Sequence, residues 1–245
     1  MLRHYSARTP STQAVADRLA RAGAPAGTRV VAGRQTRGRG RLDHAWSSPI
    51  GGLYMSIVLK APAEPSGLIP LGIGVQLGRT LVDRWGIATV LKWPNDLLVP
   101  YPSGPPRKLA GILVDLVPSP SLGAALVVGM GINVAAPARA FPLPLRDKLV
   151  SLGDFVAPPP PLDEVEVLAA LSAIGAVEEL DRAGGIERTL EACRAALYGV
   201  GKLAVIDGTM RGTIRALGEE GELWVDTDRG EVAIRAGEVV VEESP

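Results

Sequence analysis

The amino-acid sequence predicts an α+β fold: a mixed β-sheet domain flanked by helices over residues 1–198, followed by a small C-terminal β-barrel over residues 199–245. Three observations predict it. Short apolar, β-branched segments recur between residues 28 and 133, separated by proline and glycine. Apolar residues at helical spacing occupy residues 12–22, 67–85, 162–182 and 186–197. After Gly199 the pattern changes to short alternating runs with turns at Asp207-Gly208, Glu220-Gly221 and Arg229-Gly230.

Each element follows from its residues. Ser11 is a helix N-cap ahead of Val15, Ala16 and Leu19, and Gly23 stops that helix. Residues 28–32 form a short strand that ends in a long polar loop, 33–48. Residues 53–59 read as a mostly buried strand, and 67–85 as a helix with small residues on one face. Residues 89–93, 96–99, 109–117 and 124–133 are further strands. The last is open to two readings, an interior strand or an edge that pairs two subunits. Residues 137–161 form a stiff proline-rich connector, with prolines at 158 to 161, before the two C-terminal helices and the barrel.

Composition narrows the function classes. The chain has 26 basic and 26 acidic residues, so a nucleic-acid or membrane surface would have to be local. Its single cysteine, Cys193, rules out an intrachain disulfide framework and sits in a helical apolar pattern as a buried thiol. No apolar run is long enough for a membrane span, and the first residues do not resemble a signal peptide, so the cytoplasm is expected. With only His4 and His44, and no Cys/His spacing, a structural zinc site is not expected.

Three segments carry chemistry. Residues 33–48 contain Arg34, Arg37, Arg39 and Arg41 interleaved with Gly38 and Gly40, followed by Trp46. Guanidinium forks and backbone amides that approach closely suit a phosphate clamp. A solvated basic loop and a nucleic-acid contact remain open on composition alone. Lys92-Trp93-Pro94-Asn95-Asp96 joins two strands, and Pro94 removes a ladder donor and turns the bulky neighbours aside. The functional reading gives Lys92 a phosphate and Asp96 a metal or ribose role; a purely structural Asx turn stands beside it. Lys108, at the mouth of the apolar strand that follows, can supply a fixed positive charge to a phosphoryl centre, or merely snorkel at a sheet edge. Gly129-Met130-Gly131-Ile132-Asn133 lacks the third glycine and helix of a dinucleotide fingerprint; paired strand glycines instead admit a close ligand or backbone.

Taken in order, Ser11-Thr12-Gln13, Gln35-Thr36 leading into Gly38-Arg39-Gly40-Arg41 and Trp46-Ser47-Ser48-Pro49, Lys92-Trp93-Pro94-Asn95-Asp96, Arg107-Lys108-Leu109-Ala110-Gly111 and Gly129-Met130-Gly131-Ile132-Asn133 resemble the biotin–protein ligase family. The resemblance spans residues 9 to about 135 and continues weakly into the C-terminal region, where the family carries an SH3-like barrel. It implies an enzyme whose catalytic domain is residues 1–198, which uses ATP and biotin as substrates with Mg²⁺, forms biotinyl-5'-AMP, and biotinylates a lysine of a biotin carboxyl carrier protein. By the same resemblance Ser11, Thr12, Gln35, Gly38, Arg39, Lys108, Gly111 and Gly129 match biotin-binding positions. Arg39, Arg41, Trp46, Lys92, Asn95 and Asn133 match the nucleotide side, Asp96 the magnesium, and Lys108 and Arg41 the catalytic pair.

Where the family continues with Arg-Gly-Arg after Arg41, this chain has Leu42-Asp43-His44, which reduces both charge and glycine freedom in the loop. Because the Ser-Thr motif begins at residue 11, the expectation is a stand-alone type with no preceding helix-turn-helix and no nucleic-acid or membrane partner, as monomer or homodimer. A lipoate–protein ligase or octanoyltransferase of the same architecture is the nearest rival, and a nucleic-acid-binding module using the Arg/Gly loop is the rival from another class.

Overall fold

The computed structural model describes residues 2–42, 44–64, 66–101 and 104–242. The chain runs β1 (Arg3–Ser6), α1 (Thr12–Arg21), β2 (Arg29–Ala32), β3 (Gly38–Arg39), β4 (Ala45–Trp46), β5 (Gly52–Lys60), α2 (Leu68–Trp85), β6 (Val90–Lys92), β7 (Asp96–Val99), β8 (Arg107–Ser119) and β9 (Gly123–Asn133). Then come α3 (Leu162–Leu180), α4 (Gly185–Ala196), β10 (Leu203–Ile206), β11 (Met210–Leu217), β12 (Leu223–Thr227), β13 (Gly230–Ile234) and β14 (Val239–Val241).

Seven strands form the main sheet in the order β1-β2-β5-β9-β8-β7-β6. Only β1 and β2 pair in parallel; the other neighbours are antiparallel, so the sheet is mixed. Strand β9 lies between β5 and β8 over nearly its whole length, which settles its reading as interior. That burial on both faces explains its unbroken apolar run.

Alternation along the central strands divides the core. Leu53, Met55, Ile57 and Leu59 of β5, with Leu126, Val128, Met130 and Ile132 of β9, face α2, α3 and α4 in one large cluster. The opposite face carries Val30, Val58, Val117, Ala125 and Val127 against Ala16 and Ala20 of α1. A helix with small residues facing the sheet approaches closely, and α1 covers only part of that face. Buried glycines do the same for α2, where Gly74 abuts Leu91 and Gly78 abuts Thr89.

The C-terminal strands form a five-stranded antiparallel sheet, β13-β12-β11-β10-β14, and the strand turns fall where glycine was expected, with Gly208, Gly221 and Gly230 all at positive φ. Ala204, Ile206, Ile214, Leu217, Leu223, Val225 and Val239 join the large cluster, and β11 packs against α4, so the apolar core is continuous between the two sheets. Trp93 reaches across and donates its indole N–H to the Gly221 carbonyl at 2.9 Å.

Besides the pairing of β3 with β4 inside the expected loop, two elements depart from expectation. Strand β1 has four exposed residues and so no apolar pattern to reveal it; backbone pairing with β2 creates it. The proline-rich connector is three short 3-10 turns that bury Phe141, Val150 and Leu152 rather than a bare spacer. Among the described residues no helix is long and apolar enough to cross a membrane.

Candidate active site

Where α1 ends, the sheet face it covers lies open. The same alternation that puts Ala125 and Val127 under α1 puts Gly129 and Gly131 beyond it, and Gly131 pairs with Gly111 of β8. Bare backbone here is a geometric requirement. A Cβ on Gly111 would sit 2.7 Å from the Trp46 ring, one on Gly131 would run into the same indole, and one on Gly129 would sit 2.5 Å from Gln13 Oε1. Glycines therefore let Trp46 and Gln13 lie flat on the sheet.

One end of this floor is polar and buried. Ser11 caps α1, accepting from the Ala14 N–H at 3.4 Å. The Thr12 amide and hydroxyl both donate to Gln35 Oε1, at 2.8 and 3.1 Å, and Gln35 Nε2 donates to Ser48 at 3.0 Å. Ser56 Oγ stands 3.0 Å from both Thr12 Oγ1 and Gln13 Oε1. Thr12, Gln13 and Ser56 are all at most 4% exposed, so their remaining hydrogen-bonding capacity can be met only from within the cavity.

The other end is cationic. Lys108 Nζ lies 2.7 Å from Asp96 Oδ1 and 4.8 Å from the centre of the Trp46 ring. Asp96 is placed by the β6–β7 hairpin, where it pairs with Lys92, and by Asn95, whose side-chain amide donates to the Ile112 carbonyl at 2.7 Å. Arg41 lies 6.0 Å over the Trp93 ring. Burial lowers the pKa of the Arg41 guanidinium, with Asp96 opposing the shift. Burial also lowers that of Lys92; Asp96 and Glu238 oppose that shift, while Lys108 and Lys148 add to it. A buried positive charge with incomplete pairing is a place that an anion stabilises.

The Arg/Gly loop is a two-stranded ribbon, β3 on β4, folded over this floor. Its tip is held by the Gly40 N–H donating to His44 O at 2.7 Å and the His44 N–H to Arg41 O at 2.9 Å, with Leu42 exposed at positive φ. Asp43 lies outside the described residues. His44 lines the cavity rim.

Twelve of the residues singled out from sequence line one cavity of about 320 Å³: Ser11, Thr12, Gln35, Arg39, Arg41, Trp46, Lys92, Asn95, Asp96, Lys108, Gly111 and Gly129. Two do not. Gly38, in β3 of the ribbon, is buried where any side chain would meet the Trp46 carbonyl, so its pairing with Trp46 requires glycine. Asn133, 1% exposed, donates its amide to the Val150 carbonyl at 3.1 Å and, more weakly, to that of Lys108 at 3.4 Å; it braces the strand that carries Lys108.

The structure adds Gln13, Ser56, Gly131 and the segment 237–239 to the lining. Gln13 and Gly131 stood inside motifs already noted, and period-two alternation through Gly129 points to Gly131. Nothing in the local sequence marks Ser56 or Glu238. Cys193 is fully buried and its thiol is pushed up to about 12 by desolvation, so it is no nucleophile. Among the described residues no three His, Cys, Asp or Glu side chains group to hold a metal, and Asp96 already has one oxygen on Lys108. The donor set does not fit a metal held in a protein cage.

A glycine floor, a polar buried end and a cationic end under an arginine ribbon define an enzyme site built for a small ligand that carries an anion. The chain belongs to the biotin/lipoate A/B protein ligase family, whose model matches residues 5–133. It is 30% identical to the bifunctional ligase/repressor BirA of Bacillus subtilis, over 90% of this chain and 68% of that protein. It is 35% identical to the biotin–[acetyl-CoA-carboxylase] ligase of Paracoccus denitrificans, over 53% of each. Among solved structures it matches the biotin protein ligase from Aquifex aeolicus in complex with biotin and ATP, at 27% identity and a TM-score of 0.79, over 99% of both chains.

Proposed function

We propose that this chain is an ATP-dependent biotin–protein ligase, which joins biotin to ATP as biotinyl-5'-AMP and passes the acyl group to a lysine of a biotin carboxyl carrier protein. The observation that carries the reading is the union, in one cavity, of a buried polar end and a cationic end about a bare glycine floor. In the first step a biotin carboxylate oxygen attacks the α-phosphorus of ATP, and the bond to pyrophosphate breaks. Two anions must meet, and Lys108, Arg39 and Arg41 supply the charge that lets them. No protein nucleophile is needed. In the second step the carrier's lysine amine attacks the acyl carbon, AMP leaves, and the amine's proton is lost; the ribbon excludes water from the mixed anhydride. A magnesium ion would have to be held chiefly by the nucleotide's own phosphates, where it would offset their charge; Asp96 and Glu238 are the carboxylates that line the cavity.

The polar end favours biotin over lipoate. A cyclic urea offers two N–H donors and a carbonyl to Thr12, Gln13, Gln35 and Ser56. A dithiolane offers almost none and would leave those groups unmatched. On this reading residues 1–198 are the catalytic unit and 199–245 an appended one whose residues 237–239 complete the cavity wall. The enzyme acts in the cytoplasm, in keeping with a single, buried cysteine.

The test is to incubate the protein with ATP, Mg²⁺ and either biotin or lipoate and identify the acyl-AMP by mass spectrometry. Biotinyl-AMP is expected; a lipoyl adenylate with no biotinyl adenylate would overturn the assignment.

A further inference from the structure

The Gln13 amide is oriented by groups on the same face of the sheet as the cavity floor, on the side of Gln13 away from the cavity. Its Nε2 lies 2.9 Å from Asp115 Oδ2 and 2.9 Å from the Val127 carbonyl. Both of those partners, a carboxylate and a carbonyl, accept, so the atom facing them is the NH₂ group and both its protons are committed. Oε1 consequently turns to the cavity, over Gly129, where the absence of a side chain leaves it room. Among the described residues its hydrogen-bond donor there is Ser56 Oγ, and that hydroxyl has a single proton to divide between Gln13 Oε1 and Thr12 Oγ1. Thr12 Oγ1 spends its own proton on Gln35. Two buried acceptors thus face one donor, and the cavity is short of one N–H at this point.

We propose that Asp115 is a positioning residue for specificity: by holding the Gln13 amide in one orientation it makes the polar end of the cavity present an acceptor, which selects a ligand with an N–H donor. The proposal rests on the ligase reading above and identifies the N–H as one of the ureido donors of biotin. Asp115 is not among the residues that line the cavity. It is partly exposed on β8, at the rim between the sheet and α1, so it can be replaced without opening the core.

The test compares wild type with Asp115→Ala, which removes one of the two acceptors, and Asp115→Lys, which offers Gln13 only donors and favours the flipped amide. Steady-state adenylation with biotin and ATP, and the melting temperature without ligand, are measured for each. Asp115→Lys is expected to raise KM for biotin about tenfold, the effect of one lost hydrogen bond to a buried group, and Asp115→Ala to raise it less. KM for ATP, kcat and the melting temperature stay near wild type. An unchanged KM for biotin in both variants overturns the proposal, as does a loss of kcat and melting temperature in step with KM, which would mark Asp115 as merely structural. Wild-type protein that makes no biotinyl-AMP would instead refute the ligase reading, so the two failures are told apart.

Discussion

Lys108 and Asp96, on neighbouring strands of the sheet, form an ion pair of 2.7 Å beside the face of Trp46. Each is partly exposed, at 27% and 18% of the side chain, so the pair contributes little to stability and is open to exchange with an incoming anion. A carboxylate and a phosphate arriving here compete with Asp96 for the ammonium group. We expect Lys108→Ala to keep the fold, checked by circular dichroism and thermal melting, and to slow biotinyl-AMP formation by about a thousandfold, as removal of a charge-stabilising donor does. Normal adenylate production by the variant would remove Lys108 from the chemistry.

Arg41 lies on the ribbon, 6.0 Å over Trp93, with its charge held in a half-buried place near Asp96. The ribbon is closed by a two-residue pairing and the turn at its tip, and it rests on the sheet through Trp46. Arg41→Ala is expected to form the adenylate but release it at least about tenfold faster, because a charge-assisted contact to the phosphate is gone. Rapid desalting followed by quantification of protein-bound biotinyl-AMP reads this directly; equal retention by variant and wild type would contradict it.

Gly131→Ala places a methyl group where the Trp46 indole lies. The ring must move, and with it the neighbour of Lys108. The variant is expected to lose about 1–3 kcal/mol of stability through overpacking and to show a red-shifted tryptophan emission. Activity should fall with it. An unshifted spectrum with full activity would mean that the indole does not rest on this glycine in solution.

Burial depresses Lys92 from lysine's ordinary 10.5. Between its folded value and 10.5 the unfolded chain binds more protons than the folded one, so stability rises with pH across that interval. Below the interval the cost of burying the charge is present in full. Lys92→Met is therefore expected to melt at a higher temperature than wild type at pH 7 without ligand, to lose that slope at alkaline pH, and to bind ATP more weakly. Melting curves from pH 7 to about 10.5, with ATP affinity by calorimetry, check both signs. A variant that melts below wild type at pH 7 would show that the lysine is stabilising as placed.

Much of the site was legible in the chain. Pro94 between two apolar runs marks a hairpin that cannot be a plain ladder, and the hairpin places Lys92, Asn95 and Asp96 on one wall. The alternation of Gly129 and Gly131 in an otherwise apolar strand marks a face that something else must approach, and Trp46 and Gln13 do so. The Arg/Gly loop could be read as a phosphate clamp, but not as a β-ribbon, because its two strands are only two residues each and have no pattern to show.

By itself the sequence determined the longer helices and strands, the α+β class, the run of family motifs and the cationic, nucleophile-free character of the site. Those are local properties of spacing, proline, glycine and charge. Only the tertiary structure decided that Asn133 braces Lys108's strand instead of facing the cavity, that Ser56 and Glu238 belong to the lining, and that Asp115 holds Gln13. Asp115 is 102 residues from Gln13, and Glu238 is far beyond Lys92, whose charge it faces. Contacts at that range are set by which strands pair and which face each side chain takes, and a one-residue change of register would reverse every one of them.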